Sequence, residues 1–133
     1  MKWILFAAII TLISCTNSEV KNKFGKADDL VIYFYSNAGS DSIYKIVHTS
    51  DEKAKEKLIG FIDGKNAERK CDVFTGKILF KAKGAIIDSV QFNTSDVACR
   101  IFSFLDGNKR KTVNMSNESV DFLIALREDR KFY

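Results

Sequence analysis

Three cysteines, one histidine and one short run of cations are the side chains in this 133-residue chain with the most chemical reach. Thiols such as those of Cys15, Cys71 and Cys99 can be acylated, oxidised to a disulfide or bound to a metal. His48 is the only imidazole. A zinc site or a histidine-based acid–base pair needs more nitrogen or thiolate partners than it can supply. Cys71 and Cys99 do not stand in a Cys-x-x-Cys spacing, which argues against thioredoxin-like redox chemistry. No serine sits in a nucleophile elbow, and the seven glycines never cluster into a phosphate cradle. Asp28-Asp29 and Asp41 lack the alternating spacing of a calcium loop. Paired carboxylates of the glycosidase kind meet only in space, so the sequence leaves them open. The expectation is a chain with no cofactor and no assembled catalytic set.

The densest basic cluster is Lys109-Arg110-Lys111, just past Asp106-Gly107. It reads either as a contact for anionic lipid or an acidic protein partner, or as a hairpin tip kept soluble by charge. Tyr33, Phe34, Tyr35 and Tyr44 offer a second surface, although alternation sends some of these rings into a core.

The first 15 residues say where the protein goes. Lys2 gives a positive start, and Trp3 to Ile13 is an apolar run broken only by Thr11. Secretory h-regions run about 7–15 residues, whereas a bilayer-spanning helix needs about 20. The run ends in Leu12-Ile13-Ser14-Cys15, followed by polar Thr16-Asn17-Ser18-Glu19. That quartet resembles the lipobox of bacterial lipoprotein precursors. The resemblance covers residues 1 to about 19 and implies three events. The Cys15 thiol receives a diacylglycerol, residues 1–14 are removed, and the new amino terminus is often acylated. Two or more acyl chains anchor stably where one binds only marginally. Membrane lipid, reached through Cys15, is then the first partner, and the location is the cell envelope. An ordinary secretory signal with an incidental cysteine is the plainer alternative.

The resemblance also orders the cysteine count. With Cys15 lipidated, Cys71 and Cys99 remain as a pair, and export permits them to oxidise. The alternative is two reduced thiols buried as small hydrophobes.

Without its leader the chain has 119 residues, enough for one domain that needs no metal staple. An apolar content of 46% with 11 Phe fits a globular domain with an aromatic core rather than a disordered tail. Lys2 is the leader's only charge, so the rest carries 20 basic and 17 acidic side chains. Such a balance is weak evidence for any partner, and export makes nucleic acid a poor one.

The positioning elements follow from periodicity. Residues 15–29 are polar and read as a flexible, lipidated tether, with residues 30–133 forming the domain. Leu30 to Tyr35 and Ser42 to Thr49 read as strands flanking a turn. Thr49 and Glu52 have capping-box spacing ahead of a helix to about Asp63, with Gly64 as its left-handed stop. Strands are expected over Asp72 to Ala82, Ala85 to Asn93, Val97 to Leu105 and Lys111 to Met115. Lys83-Gly84 and Asp106-Gly107 supply turns. Ser116 caps a last helix over 117–130. Cys71 falls at the mouth of the third strand and Cys99 inside the fifth. The expected fold is α+β: one small domain, a mainly antiparallel sheet of about five to six strands, two helices on one face, and the order β-β-α-β-β-β-β-α.

These features point to a lipid-anchored, non-enzymatic binding module of the cell envelope with an envelope protein as partner. An inhibitor or immunity-type protein acting against an envelope-targeting enzyme is the runner-up. A hydrolase of envelope material is the third reading.

Overall fold

The computed structural model describes residues 19–40, 42–68 and 71–130. Six strands form one antiparallel sheet in the order β2-β1-β3-β4-β5-β6. They are β1 (Asp29–Tyr35), β2 (Ile43–Thr49), β3 (Gly76–Ala82), β4 (Ala85–Phe92), β5 (Ile101–Asp106) and β6 (Lys109–Asn114). Helices α1 (Glu19–Phe24), α2 (Glu52–Ile62) and α3 (Asn117–Arg127) complete the described domain. The α+β class and the antiparallel sheet match the expectation. The third helix is additional.

The pleat explains the single core. Alternate residues of a strand face opposite sides. Leu30, Ile32 and Phe34 of β1, Ile78 and Phe80 of β3, Val90 and Phe92 of β4, and Phe102 and Phe104 of β5 therefore share one face. That face packs in one cluster with Val20 and Phe24 of α1, Leu58 and Ile62 of α2, and Val120, Phe122 and Leu123 of α3. The opposite face, with Ile46, Tyr33, Lys77 and Gln91 side by side, carries none of the described helices.

Residues expected to be a tether are instead folded from Glu19 onward. Val20 and Phe24 lie four apart, on one side of α1, and both are buried. The Phe24 ring centroid is 4.5 Å from that of Phe80 and 5.6 Å from that of Phe104. Between β4 and β5 only Gln91↔Ser103 and Phe92↔Phe102 pair, so the strands part beyond them. Lys23 of α1 fills the split. Its ammonium binds the Asp88 carboxylate of β4 at 2.6 Å and donates to the Leu105 carbonyl of β5. Lys55 of α2 locks the next stretch of chain by donating to the Ala27 carbonyl at 2.8 Å.

Other boundaries move for local reasons. Asp51, not Thr49, caps α2, and its carboxylate accepts from the Lys53 amide at 2.9 Å. Thr49 instead accepts from the Asp51 amide. Gly64 is not left-handed; α2 ends where the Asp63 amide meets the Ile59 carbonyl. β3 starts at Gly76; Thr75 before it still bonds Tyr35 of β1 and Phe92 of β4, and the chain departs at Val73, whose carbonyl accepts from Asn93 Nδ2 at 2.8 Å. Cys99 lies outside β5, in a 3₁₀ turn over Val97–Cys99 capped by Asp96. α3 has its Ser116 cap but stops at Arg127, with Lys131 beyond the described residues. Cys71 and Cys99 form a disulfide with Cα atoms 5.8 Å apart, joining the segment before β3 to that turn.

Candidate functional site: a cleft at one pole of the sheet

The strand order sorts the connections to two poles. One pole holds α1, the β3–β4 turn at Lys83-Gly84 and the β5–β6 turn at Gly107-Asn108. The other holds the β1–β2 loop, the disulfide-linked segments and the end of α3.

At this second pole a cleft of about 500 Å³ opens between the end of β1 and α3. That size falls within the range typical of small-ligand sites. Its rings are Phe34, Tyr35 and Tyr44, and its hydroxyls come from Ser36, Thr75, Thr94 and Ser95. Phe34 is fixed by edge-on contact with Phe92, their centroids 5.7 Å apart. Tyr44 owes its place to a register shift, because β1 and β2 slip between Phe34↔Lys45 and Tyr35↔Ile43. A bulge of this kind re-aims one side chain. The Thr75 and Thr94 hydroxyls are 3.3 Å apart, and the Thr94 amide donates to Thr75 Oγ1 at 3.0 Å. Asn93, buried to 1% exposure, organises this wall by accepting from the Ser95 and Asp96 amides.

Arg127, in the last turn of α3, is the only charged residue lining the cleft among the described residues. Its guanidinium stands 3.6 Å from the neighbouring Glu128 carboxylate and remains about one-third exposed. The described lining includes no carboxylate, imidazole or thiol. It supplies hydrogen-bonding hydroxyls, ring faces and one positive charge.

The sequence-derived site residues distribute differently. Lys109, Arg110 and Lys111 lie on β6, so the pleat splits them between faces. Arg110 points to the helix-free face, where its guanidinium donates to Ser103 Oγ at 2.8 Å. Lys111 pairs with Phe104 on the other face and borders a recess shared with Glu19, Val20 and Asp106. The trio is therefore not one patch. Cys71 and Cys99 are joined as expected of a pair. Cys15 lies outside the described residues. His48 is exposed on β2 opposite Val31.

Among the described residues no group of three or more His, Cys, Asp or Glu side chains is placed to hold a metal. No described helix is long and apolar enough to cross a membrane. The cleft was not legible in the sequence because its lining comes from five separate segments. The one local signal was Asn37-Ala38-Gly39, where Gly39 takes φ 78° and its amide donates to the Phe74 carbonyl. No known family, curated protein or solved structure matches this chain.

Proposed function

We propose that this protein is a lipid-anchored binding module of the cell envelope, tethered through acylated Cys15, that presents the Arg127 cleft to a partner. The observation that carries the binding half of this reading is the lining itself: rings, hydroxyls and one guanidinium around about 500 Å³. The anchoring half is supported by Leu12-Ile13-Ser14-Cys15 at the end of a short apolar run. The two fit together in space, since the chain enters α1 at the pole opposite the cleft. An anchored domain of this shape holds the cleft away from the bilayer.

A photo-reactive side chain placed at Ala38, on the exposed rim, tests the reading in intact cells. The expected result is one discrete adduct that disappears with Arg127→Glu and persists with Lys109→Glu. Absence of any adduct, or equal loss in both variants, contradicts it.

A further inference from the structure

Folding of α1 shortens the leash between anchor and domain to three residues, Thr16 to Ser18. Four Cα steps separate Cys15 from Glu19, so the reach is at most about 14 Å. The headgroup layer is itself about 5–7 Å thick on each side of the bilayer. With Val20 and Phe24 buried, the first turn of α1 cannot peel away to extend the leash without opening the core.

What lies beside Glu19 therefore meets the lipid surface. A recess there is shared by Glu19, Val20, Asp106 and Lys111, and the Gly107-Asn108 turn with Lys109 projects next to it. Both Lys109 and Lys111 face the helix side of the sheet, the side that carries α1. Glu19 and Asp106 are the acidic groups among them, while Lys23 is neutralised by Asp88. A basic residue near an anionic leaflet is worth about fivefold in partition.

Resting on the proposed acylation of Cys15, we infer that the protein stands pole-on against its membrane. The β5–β6 turn sits in the headgroup layer, with Lys109 and Lys111 contacting anionic phospholipid. The domain is oriented by this contact and does not swing on a flexible stalk.

The test uses the full mature protein in vesicles of phosphatidylcholine with or without phosphatidylglycerol, and a water-soluble amine-acetylating reagent. Lys109 and Lys111 should react at least about fivefold more slowly in anionic vesicles than in detergent. Lys65, near the far end of β6, should be unchanged. Inserting a long Gly-Ser segment between Ser18 and Glu19 should remove the difference between Lys109 and Lys65. Lys109→Gln with Lys111→Gln should lower the preference for anionic over zwitterionic vesicles about 25-fold.

Mass spectrometry of the same samples separates the two possible failures. Equal reactivity of Lys109 and Lys65 on protein shown to be acylated at Cys15 overturns the orientation alone. An unmodified Cys15 thiol overturns both the orientation and the anchor beneath it.

Discussion

Two glycines show how differently single positions are constrained. A Cβ at Gly76 would lie 2.4 Å from both the Tyr33 carbonyl oxygen and Phe92 Cζ, one of them rigid backbone. Gly76 thus lets the Phe92 ring of β4 lie across β3 and reach Phe34 of β1. Gly76→Ala should destabilise by about 3 kcal/mol, the upper end of overpacking costs. Gly60 is the opposite case, exposed inside α2 with open space for at least 4 Å around the point a Cβ would occupy. Gly60→Ala should stabilise by about 0.5–1 kcal/mol, the difference in helix propensity. Urea denaturation of both variants checks the pair, and a change of the same sign in both would contradict it. The Gly60 effect is legible in the sequence, as a glycine inside a helical pattern; the Gly76 clash is not, because a glycine's neighbours across a sheet are set by register.

At the scale of elements, runs of β-branched and aromatic residues bounded by turn signals located all six strands, and apolar residues recurring along one face located α2 and α3. These signals failed where side chains compete with the ladder. Val97 to Leu105 reads as one strand rich in aromatic and β-branched residues, yet Asp96 Oδ1 captures the Ala98 amide at 3.0 Å and folds the first three residues into a turn. The Asx chemistry of Asn93 and Asp96 was the available warning. α1 was missed because six residues with two apolar groups are too short to prevail over their polar composition. Only the four-residue spacing of Val20 and Phe24 marked a helical face. Its structural weight is testable: Phe24→Ala should cost about 3–5 kcal/mol in thermal or chemical unfolding. A loss below about 1 kcal/mol, as for a side chain on a free tether, would contradict the packing of α1 onto β3 and β5.

The whole molecule is a sheet with differently equipped poles and one covalent clamp. The Cys71–Cys99 bridge spans 28 residues and encloses the β3–β4 hairpin, steadying the pole that holds the cleft. On the loop-entropy account, closing a loop of that length is worth about 3–4 kcal/mol. Cys71→Ser with Cys99→Ser should lower unfolding stability by that amount in non-reducing buffer. It should leave the mass of the amino-terminal peptide unaffected. The cysteine count pointed to this bridge only after Cys15 was set aside for lipid, so bridge and anchor were read together. The proposed placement, orientation and outward-facing cleft all meet at one proposed thioether, that of Cys15. Intact-mass analysis of the mature protein from cell envelopes tests it directly. The predicted result is a chain beginning at Cys15 and carrying a diacylglyceryl group, with or without a further acyl chain. A mature chain beginning elsewhere, or one with a free thiol at Cys15, would contradict it.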